Sequence, residues 1–456
     1  MYKKILIASL ALIAGLASCK KDDPTPSPNP PSTLTIGGVA STLEFYQLDT
    51  AHLSVAGVAK DAAAKAVWAV NGAKAAEGAT FDFTTAHPGK YEVTLTVDGK
   101  SAKHTYTVAP RFSEGAFLLN EGNSGNETGS LTYIHPSKKL VIDQAYFHIN
   151  GTKLGNVCQD LAFGNDKVYI ISQNGPRNGG EGLLTIAEAG SLKKVKVYND
   201  EALAQSTPTH IAVLRDHIYI RTERDGILRG SSEGGFTPIT GTKKALKQRM
   251  AQIGERLFAL TSDSKVLMIQ GTQVVRELDL SPAKPSGIAV SHDGKLWVST
   301  TSPNAILKVD PTPDNFVALD THILDKSISA TGPESWQRTT SSAFFAHGDK
   351  LYFTGQSSVI YCHDFATSKT SQVIDVKTID GVGTSANMYY NSLGVDPATG
   401  ELYYAAFEGY STYNKKNVTM VLKADGTKLL LKEKVNSFPA GFFFIPNAAS
   451  RTGANR

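Results

Sequence analysis

The chain has 456 residues, of which 41% are hydrophobic and 19% are charged, and its formal net charge is +4. This composition is typical of a globular protein in water, and the length is sufficient for two hydrophobic cores. The small net charge argues against bulk binding of nucleic acid, and the three cysteines argue against a fold that depends on disulfides.

Residues 1–18 have the pattern of a secretory signal peptide. Lys3 and Lys4 form a charged start, and Ile5 to Ala17 is an apolar run too short to cross a bilayer. The run ends in the tetrad Leu16 to Cys19, which resembles the lipobox of bacterial lipoproteins. That resemblance implies acylation of Cys19, and therefore a lipid-anchored protein.

A tether is predicted for residues 19–33. Lys20 to Asp23 is charged, and Pro24 to Ser32 is rich in proline and serine, a composition typical of extended, semi-rigid linkers. The charged stretch resembles the export signals that send lipoproteins of Bacteroidetes to the outer face of the outer membrane. A polar linker without any export role is the alternative.

Residues 34–110 show alternating strands rich in Val, Thr and Ala. The turns Asn71-Gly72 and Pro88-Gly89 separate a strand that contains Trp68, a strand around Phe81 to Phe83, and the strand Tyr91 to Val97. The segment resembles an immunoglobulin-like sandwich of the PKD type, and such domains often have about 75 residues. With no cysteine pair available, its core is expected to depend on the aromatic residues and valines.

A repeated unit organises the remainder of the chain. Its clearest copy is Pro285 to Thr300, in which an apolar run, the turn His292 to Gly294 and an alternating strand follow one another. Further copies begin at Gln159, Pro208, Met250, Ser341 and Asn391. A period of roughly 35 to 55 residues with about four short strands indicates a β-propeller.

The two ends of this repeat region complement each other. Pro439 to Pro446 resembles a first strand that lacks a second, whereas Phe117 to Asn120 and the segments from Gly129 and Lys139 resemble second, third and fourth strands. We therefore predict an all-β protein with a seven-bladed propeller at residues 111–447, closed by pairing of N- and C-terminal strands, and a tail at residues 448–456. Six or eight blades are the alternatives.

Two of the cysteines belong to this propeller. Cys158 and Cys362 fall in well-separated blades, so buried free thiols are expected rather than a disulfide.

The candidate binding site is one mouth of the central channel, where the connections between blades and the loops between second and third strands emerge. Aromatic, amide and guanidinium groups there suit a large ligand with many hydrogen-bonding groups, and the arginines favour phosphate or carboxylate. Some of these side chains are expected only to satisfy loop carbonyls. The candidates are Asn120, Glu121, Asn123, Gln159, Asp160, Asn174, Arg177, His210, Arg221, Arg224, Arg249, Thr300, Asn304, Trp336, Arg338, Tyr389, Asn391, Phe407 and Tyr410.

Catalytic chemistry has weak support in the sequence. The histidines show no metal-ligand spacing, and no GxSxG motif is present. Glu121 and Asp160 could approach the channel together, as acidic residues do in calcium-dependent lactonase propellers, and this keeps a metal-dependent enzyme as an alternative. Our expectation is a protein that is not an enzyme and has no resident cofactor or metal.

Two segments carry a family resemblance. LNEGN at Leu119 to Asn123 and the segment Gly155 to Phe163, together with the lipobox, resemble the BtuG-like surface lipoproteins of Bacteroidetes, which have YncE-like propellers. The resemblance implies capture of a scarce nutrient, with a corrinoid (vitamin B12) as the first candidate, and transfer to a TonB-dependent transporter.

Other hypotheses stay open beside nutrient capture. A siderophore, haem or glycan would need similar groups in a binding site, and an adhesion or protein-interaction propeller would bind another envelope protein through the same face. The long loops Gly175 to Gly182 and Gly409 to Asn417 are further candidates for recognition.

Overall fold

A computed structural model describes residues 33–39, 44–329, 341–387 and 391–446. The predicted signal peptide, most of the tether with Cys19, and the tail lie outside these residues, as do Trp336, Arg338 and Tyr389. The described residues divide into two compact units, one with residues 33–39, 50–83 and 91–106 and the other with residues 44–49, 84–90 and those described from Thr107 onward.

The N-terminal strands form two sheets, with the orders β1-β3-β6 and β2-β8-β7-β4-β5. The strands are β1 (Thr35–Gly37), β2 (Phe45–Tyr46), β3 (Thr50–Ala56), β4 (Val67–Val70), β5 (Ala73–Glu77), β6 (Thr80–Thr84), β7 (Gly89–Val97) and β8 (Lys100–Ala109), and a short helix α1 (Lys60–Ala63) precedes β4. Trp68 and Phe83 are buried between the strands, as expected, and Trp68 Nε1 donates a hydrogen bond to the Gly78 carbonyl. Phe81 and Tyr91 are half-buried.

The larger unit contains seven four-stranded antiparallel sheets among its described residues. The first half comprises β9 (Ala116–Asn120), β10 (Ser130–His135), β11 (Leu140–Ile142), β12 (Asn156–Gly164), β13 (Lys167–Gly175), β14 (Leu184–Glu188), β15 (Lys194–Tyr198), β16 (Pro208–Leu214), β17 (His217–Thr222), β18 (Gly226–Ser231), β19 (Gly234–Pro238), β20 (Ala251–Ile253), β21 (Arg256–Leu260), β22 (Lys265–Gln270) and β23 (Gln273–Asp279).

The second half comprises β24 (Lys284–Val290), β25 (Leu296–Thr301), β26 (Ala305–Val309), β27 (Ala318–Ile323), β28 (Phe344–His347), β29 (Lys350–Phe353), β30 (Val359–Asp364), β31 (Lys369–Asp375), β32 (Leu393–Val395), β33 (Leu402–Phe407), β34 (Asn417–Leu422), β35 (Lys428–Glu433) and β36 (Pro439–Phe444). Six sheets each use four consecutive strands. Their first strands begin at or close to the predicted repeat starts, and the prediction of an all-β fold is confirmed.

The remaining sheet joins the two ends of this unit, in the order β11-β10-β9-β36. Phe442 pairs with Leu118 and Phe443 with Phe117 in an antiparallel register. Phe442 also packs against the Tyr403 ring of the preceding sheet in a tilted arrangement, at 5.6 Å between centroids. The C-terminal strand therefore fills the first-strand position of a sheet whose other strands come from the N-terminal side.

The prediction of a fourth strand from Lys139 to Phe147 is wrong for most of its length. β11 ends at Ile142, and helix α2 (Ala145–Asn150) follows. Gln144 has a left-handed backbone (φ 49°), which ends the strand. The helix buries Ala145, Tyr146 and Ile149 against the core, and this burial overrides the alternating pattern in the sequence.

The other helices are α3 (Glu201–Ser206) and four short 3-10 segments, Arg177–Gly179, Pro313–Asn315, Val376–Thr378 and Gly383–Ser385. Within the described part of the chain, no helix has the length and apolar character needed to cross a membrane.

Cys158 and Cys362 are buried free thiols, as predicted.

The contribution of β36 can be measured by truncating Phe442, whose side chain is 1% exposed. We expect Phe442→Ala to lower the free energy of unfolding by about 3–5 kcal/mol, because it leaves a cavity between two sheets. The measurement is the midpoint of denaturant unfolding. The control Leu319→Ala, at a position 49% exposed, should change the value by less than about 0.5 kcal/mol. A similar small loss for Phe442→Ala would contradict a closing role for β36.

Candidate functional site

A cavity of about 1150 Å³ lies at one end of the seven sheets. At this end the first strands begin and the second strands finish, so the connections between sheets and the loops after the second strands form its wall. Every sheet, or the connection that leads to it, contributes at least one residue. The volume exceeds the roughly 300–1,000 Å³ that is usual for sites of drug-sized ligands.

Seven of the candidate residues line this cavity. They lie just after β9, on β12, near or just after the end of β13, near the end of β17, and in the loop after β33. These residues are Glu121, Asn123, Gln159, Asn174, Arg177, Arg221 and Tyr410.

The aromatic part of the wall is formed by Tyr410 and Phe438, whose ring centroids are 5.2 Å apart. Tyr410 is 48% exposed, although partial burial raises the pKa of its hydroxyl to about 12. This hydroxyl is therefore neutral near pH 7, and the ring offers a flat apolar surface to a ligand.

Two further candidates hold the scaffold together and do not line the cavity. Asn120 donates to Thr132 Oγ1 and accepts from the Ser437 backbone, which fastens β36 to β9 and β10. Asn391 accepts from the Ser341 backbone and donates to the Pro439 carbonyl.

His210 is completely buried, and its Nδ1 lies 3.0 Å from Thr209 Oγ1. Arg224, Thr300, Asn304 and Phe407 also lie away from the cavity lining.

Asp160 and Arg249 form an ion pair behind the cavity floor. Asp160 Oδ1 lies 3.4 Å from Arg249 Nε, and Asp160 Oδ2 accepts a hydrogen bond from the Ile211 backbone. Arg249 Nη1 donates to the Phe442 carbonyl, and the guanidinium carbon lies 3.9 Å from the centre of the Phe443 ring. Arg249 precedes β20, so its side chain links three different sheets.

Burial dominates the electrostatics of this pair. Desolvation raises the pKa of Asp160 to about 6, while Arg249 and the amide groups of Ile211 and Leu161 act in the opposite direction. Desolvation also lowers the pKa of Arg249. The surroundings of the pair therefore disfavour the charged forms of both side chains. Proteins commonly accept this cost in folding free energy at functional positions.

Four lysines of the cavity wall were not identified from the sequence. They are Lys243, Lys244, Lys247 and Lys284. Three of them occur in the stretch GTKKALKQRM from Gly241, and this cluster of lysines in a predicted loop is the signal that would have found them.

The cavity lining carries an excess of positive charge. Its cationic side chains are these four lysines with Arg177 and Arg221, and its anionic ones are Glu121 and Glu223. Arg221 is paired with Glu223 at 3.0 Å, and Lys244 with Asp263 at 3.0 Å. Lys243, Lys284 and Arg177 are exposed, so their charges are available to a ligand.

Irregular backbone shapes the cavity end of the first strands. β12, β16, β24 and β36 each have a register shift at their starts, next to Cys158, His210, Gly287 and Gly441. Val157, which lines the cavity, has a φ of 57°, and this backbone conformation is strained for a β-branched residue. Such bulges redirect side chains, here toward the cavity.

Metal binding has no further support in the structure. Among the described residues, no group of three or more His, Cys, Asp or Glu side chains is arranged to hold a metal ion. The carboxylate of Asp160, one of the two candidate ligands, faces the Arg249 guanidinium.

The sheets and the polar cavity define an all-β protein of the β-propeller-like class. The chain belongs to the family described as Domain of unknown function (DUF5074), which matches residues 114–445. No curated protein matches the chain.

One solved structure with a TM-score above 0.5 supports this fold at low sequence identity. A quinoprotein alcohol dehydrogenase-like protein from Bacteroides thetaiotaomicron is 15% identical, with a TM-score of 0.57 over 90% of this chain and 98% of that chain. A protein from Lactobacillus plantarum is 13% identical, with a TM-score of 0.46 over 73% of this chain and 99% of that chain.

The pH dependence of stability tests the environment of Asp160. Because its pKa is raised from 3.8 to about 6, the folded protein retains a proton that the unfolded chain releases. The free energy of unfolding should therefore fall, by up to about 2–3 kcal/mol, as the pH rises from about 4 to 6. Asp160→Asn should remove this slope in denaturant titrations at several pH values.

Asp263→Asn is the matched control. Hydrogen bonds from Thr261 and Lys244 lower the pKa of Asp263, so its contribution has the opposite sign, with stability rising with pH. An unchanged slope in Asp160→Asn would contradict a raised pKa at that carboxyl.

Proposed function

We propose that this protein is a cell-surface lipoprotein that captures a large ligand bearing anionic groups in the cavity and delivers it to a TonB-dependent outer-membrane transporter. In this proposal Cys19 carries the lipid anchor, and the protein binds its ligand without transforming it. The first ligand to test is a corrinoid.

The observation that carries the proposal is the combination of size and charge in the cavity. Its lining has six cationic side chains against two carboxylates, and two of the cations are already paired. An excess of positive charge on the concave wall attracts phosphate or carboxylate groups, and both guanidinium and ammonium groups bind them well. The aromatic surface of Tyr410 and Phe438 adds an apolar contact for a flat ligand.

The finer architecture belongs to the same proposal. Seven sheets, with one built from both ends of the unit, support a closed ring of seven blades. The two N-terminal sheets around Trp68 support an immunoglobulin-like domain of the PKD type, which would act as a spacer above the lipid anchor.

Binding is favoured over a lactonase-like reaction because Asp160 faces a guanidinium rather than an open position for a metal. A protein partner at the same face remains the alternative class, and the experiment below separates it from a small ligand.

The test is isothermal titration of residues 33–456 with cyanocobalamin, with the double variant Lys243→Glu/Lys284→Glu alongside. We expect binding by the wild-type protein and a loss of affinity of about tenfold or more in the double variant, because two attractive charges become repulsive. The loss should shrink at high salt, since the lysines are exposed.

Lys369→Glu is the matched control, because this exposed lysine begins β31 at the other end of the sheets. Absence of heat, together with an unchanged melting temperature, would reject the corrinoid. Binding that is equally strong in the wild type and in the double variant would reject the cavity wall as the site.

A further inference from the structure

Two glutamine side chains at the cavity floor have unused hydrogen-bond acceptors. Gln159 and Gln248 both line the cavity, and Gln159 is only 2% exposed. Among the described residues, neither Gln159 Oε1 nor Gln248 Oε1 has a hydrogen-bond partner, although both atoms are buried. The amide of Gln248 is oriented by its Nε2, which donates to the Ser286 carbonyl at 2.7 Å.

The two glutamines come from distant parts of the chain, and both line the cavity. Gln159 directly precedes Asp160, Gln248 directly precedes Arg249, and the two charged groups approach to 3.4 Å. Gln159 lies on β12, whereas Gln248 lies in the connection that leads to β20. The floor is therefore shared by two sheets.

Buried acceptors without a partner are uncommon in folded proteins, because each loses its hydrogen bonds to water. At the floor of an open cavity, donor groups of a ligand can replace these bonds. The ligand would have to present N–H or O–H groups at the floor while its anionic groups face the lysines and arginines of the wall.

The charge of the surroundings selects the kind of donor. Arg249 directly follows Gln248 in the sequence, and the cavity lining has more cationic than anionic groups. An ammonium group would be repelled by this field, whereas a neutral amide N–H would not. Amide N–H groups also match amide oxygens in strength as partners.

We infer that the floor formed by Gln159 and Gln248 recognises amide N–H groups, so that the ligand is an anion that also carries amides. This inference deepens the proposed function and depends on the cavity being a binding site, but it does not depend on the ligand being a corrinoid.

A matched pair of probes tests the inference. Acetyl-triglutamate carries amide N–H groups and carboxylates without an ammonium group, and its ester analogue replaces each backbone N–H by oxygen. Titration calorimetry should show the amide probe binding to the wild-type protein about tenfold more tightly than the ester probe. In Gln159→Leu/Gln248→Leu this ratio should fall to about one, because the acceptors are gone.

Gln173→Leu is the matched control, because Gln173 is a half-buried glutamine that lines the same cavity, and the tenfold ratio should persist in this variant. Melting temperatures of all variants would confirm that each is folded. If the double variant does not fold, Gln248→Met alone should at least halve the ratio.

The outcomes separate the two proposals. Equal affinities of the two probes for the wild-type protein would overturn the inference and would indicate that water molecules bind the two acceptors. The proposal of anion capture would be unaffected. No binding of either probe would also overturn it. A tenfold ratio without any binding of cyanocobalamin would support the floor and reject the corrinoid.

Discussion

The larger unit depends on the pairing of its last strand with its first. β36 is an edge strand of its sheet and pairs with β9. Without β36, β9 would have an unpaired edge and the buried side chain of Phe117 would be exposed. Unpaired edges are both a loss of hydrogen bonds and a risk of aggregation. Asn120 and Asn391, both almost completely buried, strengthen this junction by bonding to the backbone at the start of β36. The cavity depends on the same junction, since Phe438 directly precedes β36 and lines the wall.

Polar atoms that are costly to bury are concentrated where the first strands begin. The Asp160–Arg249 pair links β12, β36 and the segment before β20, and the two glutamines beside it leave acceptors unused. A scaffold selected for stability alone would fill these positions with apolar side chains. Their presence at or behind the wall of a large cavity, near strained backbone at Val157, supports our proposal that the cavity binds a ligand.

Fold and site carry different information about this protein. The seven sheets and the likeness to one solved structure define the architecture, and β-propeller-like folds serve many unrelated functions. The lysines between Gly241 and Gln248, the aromatic wall and the amide floor are properties of this chain's loops and bulges. In our proposal they select a ligand with anionic and hydrogen-bonding groups, which is a narrower statement than the fold supports.

The sequence by itself determined the all-β class, the repeat of strands and the position of much of the site, because apolar alternation and turn residues are local properties. It located Glu121, Gln159, Arg177 and Tyr410 near the cavity from their places relative to the strands. Only the tertiary structure decided that Asn120 and Asn391 hold the scaffold and that Asp160 pairs with Arg249, 89 residues away in sequence (249 − 160). The tertiary structure also decided that Ala145–Asn150 is a helix. The physical reason is that burial, ion pairing and the use of each hydrogen-bond acceptor depend on neighbours that come together only when the sheets pack.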